Sequence, residues 1–152
     1  MSKGIHLTVA AVVQRDGRFL CVEERIDGML RINQPAGHLE AGESLVQAVI
    51  RETLEETAHE FTPHGLLGIY RWQHPDKGLT YVRVAFTGTV GDPRWHLHLD
   101  VGIERTLWMT PVELRASRAR HRSPLVMRCV EDFAAGPRYP LDLLRDIEPL
   151  AP

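Results

Sequence analysis

The chain has 152 residues, 43% of them hydrophobic and 25% charged, which fits one ordinary globular domain. Its 18 Lys and Arg against 20 Asp and Glu leave a formal net charge of -2. That balance excludes a strong basic field for a nucleic-acid polymer but not a small anionic ligand, for which a metal ion can supply positive charge. No run approaches the ~18 apolar residues of a membrane span. Two distant cysteines, Cys21 and Cys129, leave no room for a disulfide framework or a CxxC zinc knuckle. One domain over residues 1–152 in a reducing cytoplasm is the expectation, and nothing in the pattern chooses between a monomer and a homodimer.

In chain order, MSKGIHLTVAAVV lacks a small-residue cleavage pattern and reads as a strand over 5–13 rather than a signal peptide. Asp16-Gly17 signals a hairpin turn, with the returning strand at 19–24. Residues 26–33, with Gly28 inside them, read as a loop. Ser44 has the character of a helix N-cap, and Gln47 three residues on completes a capping box, so a helix is predicted to about Thr57. Strands are predicted at 66–73 and 79–90 around the turn His74-Pro75-Asp76-Lys77-Gly78. A loop over 91–102 leads to a short strand near 105–109. Thr110-Pro111 then caps a helix, and a last helix spans 123–135 before Gly136-Pro137. Strands and helices mix without a βαβ rhythm, which predicts an α+β fold with a mixed sheet between helices.

One stretch stands apart: Gly37-His38-Leu39-Glu40-Ala41-Gly42-Glu43, followed by Arg51-Glu52-Thr53-Leu54-Glu55-Glu56. On a helix, Glu52, Glu55 and Glu56 fall within an arc of roughly 100°. Like charges three and four residues apart repel, by a few tenths of a kcal/mol per pair. Crowded carboxylates are hard oxygen ligands suited to Mg²⁺ or Mn²⁺, which would convert that repulsion into attraction. The other side of the helix carries Val46, Val49, Ile50 and Leu54, so it can pack on a sheet while the acids face a cleft. Taken alone, a pair of glutamates is an ordinary solvated face.

The full spacing changes that reading. Gly37, five residues, Glu43, seven residues, Arg51-Glu52, two residues and Glu55-Glu56 resembles the Nudix box, a long and specific motif. Outside the box, Asn33 to Glu40, Trp72 with Pro75-Asp76-Lys77, and Arg122-Ser123-Pro124-Leu125-Val126 resemble the Nudix subgroup of NudJ-type phosphatases. The resemblance implies a Nudix fold, a mixed β-sheet sandwiched between α-helices (α/β/α). It also implies Mg²⁺-dependent hydrolysis of phosphoanhydrides in nucleoside tri- and diphosphates, with release of orthophosphate. The pyrimidine diphosphate of thiamine synthesis is a further implied substrate. The alternatives are a pyrophosphohydrolase acting on ADP-ribose-like or damaged nucleotides, and a non-catalytic nucleotide-binding module. Three positions depart from the box. Ala58 and His59 stand where Gly and an aliphatic residue are usual, and Thr53 fills a normally aliphatic slot. Ala at a helix-terminating position costs about 1 kcal/mol, so the helix either strains there or runs on towards Phe61.

By the same resemblance, Glu52, Glu55, Glu56 and the Gly37 carbonyl hold the metal, and Glu52 is the first choice for general base. Glu104 is the remote acid expected from the loop before the last strand, with Asp100 as runner-up. Arg51 is expected to orient the carboxylates, with Glu40 and Glu43 as weaker ligands or supports. For substrate, Tyr70 and Trp72 share one strand face and offer a stacking surface, although Tyr70 fits a core role slightly better. Arg83 pairs with either a phosphate or a cross-strand acid. His38 lies beside the metal loop within reach of phosphate. The basic cluster Arg115, Arg118, Arg120, His121 and Arg122 reads as a solvated face.

Overall fold

A computed structural model describes residues 4–147. Residues 1–3, at the start of the N-terminal run, lie outside the described residues. The strands are β1 (Ile5–Val12), β2 (Gln14–Arg15), β3 (Arg18–Ile26), β4 (Met29–Asn33), β5 (Ala36–His38), β6 (Phe61–Gln73), β7 (Thr80–Val90) and β8 (Ile103–Met109). The helices are α1 (Leu45–Thr57), α2 (Pro111–Ala116) and α3 (Leu125–Ala135), with 3₁₀ turns at Arg118–Arg120 and Leu141–Leu143.

Two sheets carry the architecture. The first runs β5-β1-β7-β6 and is mixed, because β1 and β7 are parallel while β5 and β6 are antiparallel to their neighbours. The second is antiparallel, β2-β3-β4, with β8 on the free flank of β3. A central parallel pair needs cover on both faces. Val9 and Ala11 of β1 pack with Ala48 and Val49 of α1, whereas Val12 and Ala85 pack with Val126, Cys129 and Val130 of α3. The mixed sheet thus lies between α1 and α3, the layered α+β arrangement expected from the chain pattern. Among the described residues no helix is long and apolar enough to cross a membrane.

Residues 36–38, read as part of a loop, form the short strand β5, and the strand expected from residue 66 begins at Phe61. Residues 29–33 form a strand, not a loop, and Ile32 is fully buried in the core. The turn before it is Asp27-Gly28, both with positive φ, the same signal that marks Asp16-Gly17. Two Asp-Gly turns therefore build consecutive hairpins, β2–β3 and β3–β4.

The predicted capping box of α1 is present: Ser44 Oγ accepts from the Gln47 amide at 3.0 Å, and Gln47 Oε1 accepts from the Ser44 amide at 2.8 Å. The helix ends at Thr57 rather than running on, and Ala58 takes the left-handed conformation, φ 58 and ψ 18. Thr53 is fully buried in its usually aliphatic slot, and its hydroxyl donates to the Val49 carbonyl at 2.7 Å, so no polar atom is stranded. Cys21 and Cys129 are both buried thiols, and burial pushes Cys21 up to about 12.

Candidate active site

The site forms where three segments meet: β5 with the loop after it, the middle of α1, and the 91–102 loop. Arg51 is its hub. Its Nε and Nη2 donate to the Glu43 carboxylate at 3.0 and 2.7 Å, and Nη1 donates to Glu52 at 2.8 Å and Glu55 at 3.2 Å. Nη2 also donates to the His38 carbonyl at 3.1 Å, which ties α1 to β5. One guanidinium therefore sets the positions of three acids and one loop. Glu43 hydrogen bonding raises the guanidinium further above its ordinary range, and the Arg51 hydrogen bond holds Glu43 below the usual carboxylate range.

The acids nearer the cleft behave differently. Burial pushes both Glu52 and Glu55 up, and Asp100 adds like-charge repulsion to each. Glu56 is buried, and burial raises it to about 9 even though its Oε1 accepts from the Ala36 amide at 2.8 Å. Glu52, Glu55 and Asp100 each present a carboxylate oxygen within 4.8 Å of the others. Arg51 offsets part of the charge on Glu52 and Glu55, and the mutual approach of three carboxylates is an arrangement a divalent ion relieves further.

Gly37 supplies the space. A Cβ there would overlap the carboxyl carbon and both oxygens of Glu52. The residue donor set of all-oxygen ligands, with backbone at Gly37 against the carboxylates, fits a hard divalent cation.

Asp100 arrives through the end of α1. The last turn of a helix leaves carbonyls free. The Asp100 amide donates to the Glu55 carbonyl at 3.0 Å, and the Arg94 amide donates to the Ala58 carbonyl at 2.8 Å. The left-handed turn at Ala58 thus gives the 91–102 loop a docking edge. Glu104 is not brought to the cluster. It accepts from Arg25 Nε at 2.8 Å, and both side chains are nearly half exposed.

Beyond Gly37 the site opens into a cavity of about 250 Å³, whose lining includes Thr8, Asn33, His38, Trp72, Arg83 and Arg122. Trp72 stacks on Tyr81, centroids 5.7 Å apart and planes 26° from parallel. Arg83 is buried, and its guanidinium donates to Gln34 Oε1 at 2.9 Å and Asn33 Oδ1 at 3.0 Å. Its Nε finds no partner among the described residues. Tyr70 instead packs against the core, with its hydroxyl donating to Asp132 at 2.8 Å. Of the basic cluster, Arg118 pairs with Glu131, Arg120 with Glu23 and Arg122 with Glu24, which leaves little free charge for a polyanion.

Sequence reasoning missed Asn33, Glu24 and Tyr81 as parts of this cleft, and Gln34 as the buried partner of Arg83. Asn33 and Gln34 meet Arg83 across some 50 positions of chain, and only the pairing of β1 with β5 and β7 closes that gap. The strand period alone could have placed Tyr81 on the face of Arg83.

A layered mixed sheet with an Arg-organised carboxylate cluster on the helix that covers it defines a hydrolase-like architecture whose acids could hold a divalent ion. The comparisons narrow the class: the model of the NUDIX domain matches residues 4–129, and the chain belongs to the NUDIX family. It is an enzyme, a phosphoanhydride hydrolase of the Nudix type. The chain is 40% identical over 142 residues to proteins called Phosphatase NudJ from Escherichia coli K12 and Shigella boydii, covering 93% of this chain and 91% of each relative. A NUDIX hydrolase of Nitrosomonas europaea has a similar structure, with TM-score 0.91 and 50% identity over 93% of this chain and 97% of that one.

Proposed function

We propose that the protein is a Mg²⁺-dependent phosphatase that releases orthophosphate from nucleoside tri- and diphosphates and related small diphosphates. The observation that carries this reading is the convergence of Glu52, Glu55 and Asp100 within 4.8 Å, beside the gap left by Gly37 and the mouth of an aromatic-lined cavity. The names of the relatives at 40% identity support the phosphatase chemistry.

Glu52, Glu55, Glu56 and the Gly37 carbonyl would hold the metal, and Asp100 takes the remote position for which Glu104 was the first expectation. Bound there, Mg²⁺ (or Mn²⁺ in its place) supplies Lewis-acid neutralisation of phosphate charge and a more acidic water. Arg51 holds Glu52 and Glu55 in fixed rotamers, so that no reorganisation is needed when charge builds on the phosphate. Glu52 is the first candidate for accepting the proton of the attacking water, with Asp100 the second. Trp72 offers a ring face for a base, while Arg83 and His38 present polar groups to the phosphate or sugar. The small lining favours a small phosphorylated substrate.

A panel of nucleoside tri- and diphosphates, small diphosphates and ADP-ribose with Mg²⁺, assayed separately for phosphate and pyrophosphate, tests this. Free phosphate from tri- and then diphosphates supports the proposal. Pyrophosphate, or two monophosphates from ADP-ribose, supports the pyrophosphohydrolase alternative, and binding without turnover across the panel supports the non-catalytic module.

A further inference from the structure

One pair of metal-ligating side chains stands outside the carboxylate cluster. In the β1–β5 register Thr8 faces His38 and Ala10 faces Ala36, so His6 lies on the face of His38, one diagonal step away. His6 Nδ1 and His38 Nε2 are 2.8 Å apart, with ring centroids at 5.1 Å and planes 63° apart. The His6 ring is backed by Tyr81 at 5.2 Å, which limits its swing. Neither imidazole has another hydrogen-bond partner among the described residues. His38 sits at the rim of the cavity, and its neighbour Gly37 abuts Glu52.

We propose that His6 and His38 form a chelating site for a borderline-soft divalent cation, Zn²⁺, Ni²⁺ or Cu²⁺, separate from the carboxylate cluster.

The chemistry of the donors separates the two sites. Imidazole suits Zn, Cu and Ni, whereas carboxylate and carbonyl oxygens suit Mg and Mn. The facing nitrogens share one proton when they hydrogen-bond. With each ring protonated on its far nitrogen, both lone pairs converge on one point. Metal–nitrogen bonds of about 2.0–2.1 Å at a tetrahedral angle place two nitrogens about 3.3 Å apart, so the pair needs to open by only about half an ångström. The remaining coordination positions face solvent and are filled by water. The site draws on β1 and β5, two paired strands, so its ligands are held by a sheet rather than a loop.

The test is calorimetric titration of the full, tag-free chain with Ni²⁺ and with Zn²⁺ in excess Mg²⁺. The expected result is one equivalent bound by the wild type. His6→Gln and His38→Gln should each weaken that step roughly tenfold or more, while His96→Gln, an exposed histidine elsewhere, should leave it unchanged. Circular dichroism confirms that each variant is folded. The proposal is overturned if the wild type takes up neither metal in excess Mg²⁺, or if a folded His6→Gln binds as the wild type does.

Discussion

The α-carbon of Gly37 stands so close to Glu52 that a single added methyl group would coincide with the Glu52 carboxyl. The backbone of β5 and the Glu52 side chain of α1 are therefore in contact where the metal is expected. Gly37→Ala must push Glu52 out of the cluster or pry β5 from β1. A displacement of about 1 Å in a catalytic group can lower turnover about 100-fold. Gly37→Ala should lose activity by at least that factor and weaken Mg²⁺ activation, measured as kcat against Mg²⁺ concentration. Wild-type activity in this variant would mean that the contact has no part in catalysis.

Asp100 and Glu104 give a direct comparison of two loop acids. Asp100 meets Glu52 and Glu55, while Glu104 is held by Arg25. Asp100→Asn should reduce activity at limiting metal about tenfold to a hundredfold, as loss of a metal-supporting group does. Glu104→Gln removes only a half-exposed ion pair and should leave kcat/KM close to wild type. The reverse ranking would move the remote acid to Glu104.

Glu52→Gln keeps the shape of the side chain and its hydrogen bond to Arg51 while removing charge and basicity. Loss of a general base lowers rates roughly 10²- to 10⁴-fold. Turnover should fall in that range with the melting temperature preserved or raised, because burial disfavours the charged form of Glu52. An active Glu52→Gln enzyme would remove Glu52 from the chemistry.

The metal-free protein should lose stability as pH rises above neutrality. Burial pushes Glu56 up to about 9, above the unfolded value of about 4.3. A group raised in the folded state contributes stability that is complete below the unfolded value and is lost as pH climbs through the folded one. Glu52 and Glu55 are raised as well and act with the same sign. Glu43 is lowered, so its contribution is lost only under acidic conditions. Burial lowers His38, His59 and His121, whose contribution rises with pH up to the ordinary imidazole range, so thermal melts in chelator should fall from about pH 7 to about pH 9. Glu56→Gln should flatten the slope, and Mg²⁺ should restore stability most at the alkaline end. A flat wild-type profile would contradict the burial of these acids.

Ala58 carries a left-handed backbone without the glycine that suits it. The strain is about 1–2 kcal/mol, and a buried methyl group is worth about 0.8 kcal/mol. Ala58→Gly should thus stabilise the protein by less than about 1 kcal/mol, a rise of about 2 °C in Tm. Ala58→Val should lower Tm, because β-branching is poorly tolerated at positive φ. If both substitutions behave alike, conformation is not what the position selects.

The local chemistry was legible from the chain. The Ser44 capping box, the 3.6-residue spacing of Glu52, Glu55 and Glu56, and the Asp16-Gly17 turn are short-range patterns whose causes lie within a few residues. The Asp27-Gly28 turn carries the same signal, but Arg31 and Asn33 break the apolar pattern of the strand that follows it. What gathers the site was not legible. Asp100 reaches Glu52 because free carbonyls at the end of α1 bind the 91–102 loop, and Arg83 finds Asn33 and Gln34 because β1 lies between β5 and β7. Residue types and their periods decide which groups are acidic, capped or apolar, since those depend on neighbours in the chain. Which distant groups share a cavity is set by sheet order and loop docking, since hydrogen bonding and burial between remote segments leave no periodic trace in the sequence.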